Sequence, residues 1–179
     1  MAIKVQIQPI LKVMRGDPKY KKLRATYSTH ENFRLPTDTL LSELNDLHRA
    51  RSIRILDPTD PQFIDKVIEA NLKDQATRSR TTEILVRALR AHSLLTRGVE
   101  SLRFYLLITY SEELRSFRTK EERLQIVNMV LQGFEEFLGK ALLLKETAQL
   151  VAIDIDKSAW NLKLTISALE LHHSPERRI

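Results

Sequence analysis

Residues 77–103, TRSRTTEILVRALRAHSLLTRGVESLR, set six arginines (Arg78, Arg80, Arg87, Arg90, Arg97 and Arg103) against two acids, Glu83 and Glu100. A guanidinium is a planar fork that grips a phosphate through two parallel hydrogen bonds, which a lysine ammonium cannot do. On a helix, Arg80, Arg87, Arg90 and Arg97 share one stripe, roughly 110° round from the apolar stripe that begins at Ile84. Two chemistries compete for these groups. Arg78, Arg80, Arg87, Arg90 and Arg97 could hold a phosphate backbone, or they could pair with Glu121, Glu122, Glu135 and Glu136 of the next helical stretch.

Residues 12–34, KVMRGDPKYKKLRATYSTHENFR, are denser still in positive charge, with seven lysines and arginines against Asp17 and Glu31. Tyr20, Tyr27 and Phe33 are interleaved among them. Cations with interspersed rings suit single-stranded nucleic acid, whose phosphates need neutralising and whose splayed bases need a flat face. On this reading Lys12, Arg15, Lys19, Tyr20, Lys21, Lys22 and Arg24 are binding residues. The alternative is that the rings pack on the helices and the lysines are simply solvated. Arg15, Gly16 and Asp17 followed by Pro18 read as a turn.

Catalytic parts are scarce. Glu170 and His173 form one Glu-x-x-His pair, half of a di-iron bundle motif, and no second copy accompanies it. His30, His48 and His92 are scattered, and four glycines leave little material for a phosphate-cradling loop. With no cysteine there is neither a disulfide nor a thiolate site. The expectation is no enzyme, no cofactor, no metal and no small-molecule substrate.

The elements that position these residues follow from proline and periodicity. Prolines stand at 9, 18, 36, 58, 61 and 175, which leaves 62–174 free of them, a gap that only a mostly helical segment explains. Ile84, Ala88, Ala91, Leu95, Val99, Leu102 and Leu106 lie on one helical face, whereas KDQATRSRTT before them breaks it and predicts an interruption over 73–82. Thr119 and Glu122 have capping-box spacing, so the chain reverses there and a new helix starts. Heptad pairs follow at Val127 and Val130, Phe134 and Phe137, Ala141 and Leu144, and Ala148 and Val151. Around VAIDIDKSAW either a break or a continued helix fits, with Asp156 as a candidate cap, and a last helical stretch runs to about Leu171 with Trp160, Leu162 and Ile166 read as core. Gly98, Gly133 and Gly139 inside these helices suggest close helix contacts.

The first 61 residues differ in kind. IKVQIQ alternates Ile3, Val5 and Ile7 with polar residues and predicts a short strand, which either pairs with SIRIL (Ile53, Ile55) within the chain or reaches onto a neighbouring subunit as an arm. Between them lies a short amphipathic helix from about Thr37 to His48. The predicted fold is mainly α: a long antiparallel helical hairpin with one or two further helices, and an N-terminal extension containing a short β-strand. The division is 1–61 for that extension and 62–179 for the helical domain.

The whole chain of 179 residues carries a net charge of +6 with a pI near 9.6, which favours anionic partners. The opening MAIKVQIQPILKV lacks the apolar core of a signal peptide, and nowhere do about 18 apolar residues run together. The chain is thus expected to be soluble and cytoplasmic, with no membrane partner. The function these features predict is a non-catalytic nucleic-acid-binding subunit that contacts the DNA or RNA backbone and self-associates through its apolar faces. The competing expectation is a structural scaffold or adaptor of a larger assembly, such as a viral particle, acting through protein contacts.

Overall fold

The computed structural model describes residues 2–29, 35–50 and 59–173. Five α-helices account for nearly all of them: α1 (Ala2–Gly16), α2 (Pro18–Thr29), α3 (Thr37–Arg49), α4 (Phe63–Thr109) and α5 (Lys120–His173), with a 3₁₀ turn at Glu113–Ser116. The chain divides into two compact units. Unit 1 is Met1–Thr37 with Arg87–Leu143, and unit 2 is Asp38–Val86 with Leu144–Ile179.

No strand occurs among the described residues, and the strand expected over IKVQIQ is part of α1 instead. The alternation there was real but short. Ile7, Leu11 and Met14 follow at helical spacing, and Leu11 and Met14 enter the core of unit 1, so tertiary burial overrides the local pattern. Pro9 inside α1 removes one backbone donor, and the buried Leu11 and Met14 lie beyond it. Ile53 and Ile55 lie outside the described residues.

In unit 1, Leu11 and Met14 of α1 and Tyr20 of α2 pack with Val99, Leu102 and Leu106 of α4 and with Ile126, Val127, Val130, Leu131 and Phe134 of α5. Leu114 and Phe117 close the cluster from the α4–α5 connection. Each such side chain contributes about 1.5–3 kcal/mol when fully buried, far above any helix-propensity difference, so this packing holds the helices. The start of α5 is fixed by the expected capping box. Glu122 N–H donates to Thr119 Oγ1 at 3.1 Å, and the Glu122 carboxylate accepts from the Thr119 and Arg118 N–H groups at 3.2 and 2.9 Å.

In unit 2, Leu40 and Leu44 of α3 are buried, as are Phe63, Val67, Ala70 and Ile84 of α4 and Leu144, Ala148, Val151 and Ile155 of α5. The expected interruption over 73–82 does not occur, because α4 is continuous from Phe63 to Thr109. Its inward positions keep helical register through this stretch, but Asp74, the half-buried Thr77 and Thr81 occupy them where apolar residues would be expected. The periodicity of hydrophobicity fails there while that of burial persists. α5 is likewise one helix through VAIDIDKSAW. Val151 and Ile155 are buried and Ile153 is exposed, the separation a helix imposes and a strand would not. Asp156 caps nothing, since it pairs with Arg78, and Trp160 is exposed rather than core.

Of the three helix-interior glycines, only Gly98 meets a neighbour. A Cβ built there would lie 2.8 Å from Cζ of Tyr27 and still nearer its hydroxyl, whereas Gly133 and Gly139 face open space. Gly98→Ala is expected to lower stability by about 1–3 kcal/mol through overpacking. Adding Tyr27→Phe, which removes the clashing hydroxyl, recovers part of that loss in thermal unfolding. Thr81 gives a second prediction, because its hydroxyl is buried and finds no hydrogen-bond partner among the described residues. Thr81→Val keeps the shape and removes an orphaned polar group, so it raises the unfolding free energy by about 1 kcal/mol in denaturant titration.

Candidate functional site

The Arg15–Gly16–Asp17–Pro18 turn is a junction built on one buried side chain. Asp17 is only 5% exposed and caps α2, its Oδ1 accepting from the Lys19 and Tyr20 N–H groups at 2.7 and 3.2 Å. Its Oδ2 accepts from the Tyr105 and Tyr110 hydroxyls of α4 and the residue following it, at 3.0 and 2.8 Å. Burial pushes this carboxyl up, but the hydrogen bonds from Tyr110, Tyr20, Lys19 and Tyr105 together outweigh it and hold it below its ordinary 3.8. The same contacts act oppositely on Tyr110. Its hydroxyl is pushed up to about 12, first by burial and then by the Asp17 carboxylate it donates to. Lys19 completes the junction, with Nζ 3.9 Å above the Tyr105 ring.

This junction decides which residues of the basic α1–α2 segment face outward. Lys12, Lys21, Lys22 and Arg24 are exposed, and so is Arg15, although one of its guanidinium nitrogens donates to the Met129 carbonyl at 3.1 Å. Tyr20 is not a stacking residue. It is 7% exposed, sits edge-on to Phe134 with centroids 5.8 Å apart, and donates its hydroxyl to the Val130 carbonyl at 3.4 Å. Tyr27 is half-buried against the same Phe134 ring at 5.2 Å, and burial raises its hydroxyl above the usual 10.0. Phe33 lies outside the described residues. Tyr20 and Tyr27 therefore pack on the helices.

The six arginines of residues 77–103 sort into two sets. Arg78 makes a two-pronged contact with Asp156 at 2.6 and 3.2 Å. Arg80 is bound by Glu43 of α3 at 2.6 and 3.0 Å and by Glu83 at 2.7 Å, and Arg103 reaches Glu135 at 2.7 Å and Asn128 at 3.1 Å. Carboxylates thus already hold the forks of Arg78 and Arg80. Arg87, Arg90 and Arg97 are exposed and make no hydrogen bond or ion pair with any described residue. Of the glutamates proposed as alternative partners, Glu135 takes Arg103, Glu122 serves the helix cap and Glu136 accepts from Gln132.

The charge is unevenly divided as a result. Unit 1 carries 17 lysines and arginines against 9 aspartates and glutamates, while unit 2 carries 12 against 14. The basic surplus therefore belongs entirely to unit 1, together with Arg87, Arg90 and Arg97. Beside α2 and α5 there is also a groove of about 530 Å³ with Arg15 and Arg24 on its rim and Tyr27, Met129, Gly133 and Phe137 along it, which the sequence reading missed. No pattern in the sequence shows it, because its walls come from residues about 110 positions apart.

Among the described residues no group of three or more metal-ligating side chains comes together, and no helix is long and apolar enough to cross a membrane. The side chains of Glu170 and His173 lie outside the described residues. No protein-family model, no curated protein and no solved structure matches the chain.

The Asp17 junction makes unit 1 sensitive at both ends of the pH scale. Because the folded carboxyl sits below 3.8, its contribution is present above that value and is lost as pH falls through the folded pKa. Tyr110 binds its proton more tightly when folded, so its contribution is complete below pH 10.0 and is lost as pH climbs towards about 12. Asp17→Asn is expected to flatten the acid limb of a stability-versus-pH profile and to cost about 1–2 kcal/mol at neutral pH. Tyr110→Phe should remove the part of the alkaline limb that this hydroxyl supplies, both read by denaturant titration across pH.

Proposed function

We propose that the chain is a non-catalytic nucleic-acid-binding subunit that self-associates and that holds the phosphate backbone through unit 1. The observation that carries this reading is that Arg87, Arg90 and Arg97 are exposed and have no partner among the described residues, in the unit that holds the whole basic surplus. Lys12, Lys21, Lys22 and Arg24 add exposed charge to the same unit. With Tyr20 buried and Tyr27 half-buried, the reading rests on phosphates and not on stacked bases, so it implies little sequence preference. A second reading, a structural scaffold or adaptor working through protein contacts, draws support from the exposed Ile64, Ile68 and Leu72 of α4.

The phosphate reading predicts that binding to a labelled oligonucleotide, followed by fluorescence anisotropy, weakens steeply with added salt as counterions are released. Replacing Arg87, Arg90 and Arg97 together by glutamate should abolish binding at moderate salt with helicity retained. Neutralising them to glutamine should lower the slope of log affinity against log salt by about 2–3. Arg78→Gln is the control. Its guanidinium is already held by Asp156, so it leaves that slope unchanged. A salt-independent affinity, or none at all, would overturn the reading.

A further inference from the structure

Within unit 2, α5 is apolar on two opposite sides. One side, Leu144, Ala148, Val151 and Ile155, is buried. The other presents Leu150, Ile153, Trp160 and Leu164, each more than half exposed. With Glu146 and Lys157 these occupy 146, 150, 153, 157, 160 and 164, alternating steps of four and three that make a second seam of coiled-coil spacing. Single exposed apolar side chains need no explanation, but a contiguous heptad-spaced row of them marks a contact surface.

The charges in the seam say what fits it. Glu146 and Lys157 are exposed, and neither makes an ion pair or hydrogen bond with any described residue. Read along the helix, the order is acid, apolar, apolar, base, which complements itself when reversed. If a second copy of α5 is laid antiparallel about a two-fold axis between Leu150 and Ile153, Leu150 meets Ile153 of that copy, and Glu146 meets its Lys157, twice by symmetry. A parallel pairing in register would instead stack acid on acid and base on base. Trp160 and Leu164 extend the apolar seam beyond each charged layer, and tryptophan is among the residues that most often anchor interfaces.

We propose that this outer seam of α5 is a two-fold antiparallel interface with a second copy of the same chain. The proposal deepens the self-association half of the reading above and does not depend on the phosphate half. The test is sedimentation velocity on the nuclease-treated full chain over a concentration series reaching about 100 μM. A dimer is expected. Lys157→Glu or Glu146→Lys alone converts both attractive layers into repulsive ones and should weaken the dimer at least about tenfold. The double exchange, Glu146→Lys with Lys157→Glu, restores the pairing and should return the dimer to near its original affinity. All these positions are exposed, and far-UV circular dichroism checks that helicity is unchanged. Should a charge reversal disturb folding, Glu146→Gln and Lys157→Gln carry the same comparison with smaller losses. A wild-type monomer throughout, a dimer indifferent to Lys157→Glu, or a double exchange that fails to restore association would each overturn the proposal. Oligonucleotide binding measured on the dissociated single variants reports on the phosphate reading independently.

Discussion

The repeat of buried positions every three and four residues along α4 and α5 is the constraint on which the other features depend. Such a seam fixes how each helix is rotated about its own axis, because the residues at 84, 88, 91, 95, 99, 102 and 106 of α4 must all face inward. Once that rotation is set, the direction of every other side chain on the helix is set with it. The outward direction of Arg87, Arg90 and Arg97 is a consequence of burying Ala88, Ala91, Leu95 and Val99. The same rule leaves the outer side of α5 free in unit 2. Alanines at 70, 88, 91, 141 and 148 are buried along these seams together with larger apolar residues.

The Asp17 junction is a local answer to a different problem. A carboxylate is costly to bury unless its lone pairs are used, and Asp17 uses both oxygens on four donors. Those donors come from the start of α2 and from two tyrosines at the far end of α4, so one side chain closes the α1–α2 corner and ties it to the helix it packs on. The donors are neutral, so the carboxylate keeps its charge, but it forms no ion pair with a lysine among the described residues.

Which arginines are neutralised depends on what packs beside them. Arg80 meets Glu43 because α3 lies against that part of α4, and Arg78 and Arg103 meet Asp156 and Glu135 because α5 does. Such partly exposed pairs contribute little to stability, but they occupy the guanidinium groups of Arg78, Arg80 and Arg103. Arg87, Arg90 and Arg97 carry the same side chain and share a face by sequence spacing with Arg80, yet among the described residues only Arg80 of the four finds a carboxylate.

By itself the sequence determined the features governed by local chemistry: the helical class, the burial of the stripe from Ile84 to Leu106, the capping box at Thr119 and Glu122, and the short helix near 37–48. These are legible because periodicity and end-capping act over a few residues. The tertiary structure alone decided that α4 runs unbroken past Asp74 and Thr81, and that the N-terminal alternation becomes helix. It also decided that Tyr20 is packed and not presented, that Trp160 is exposed, and which arginines are paired. Each of these outcomes depends on contacts between residues far apart in the chain. The spacing of side chains along one helix fixes their directions relative to each other, but not whether a carboxylate, a ring or water stands opposite.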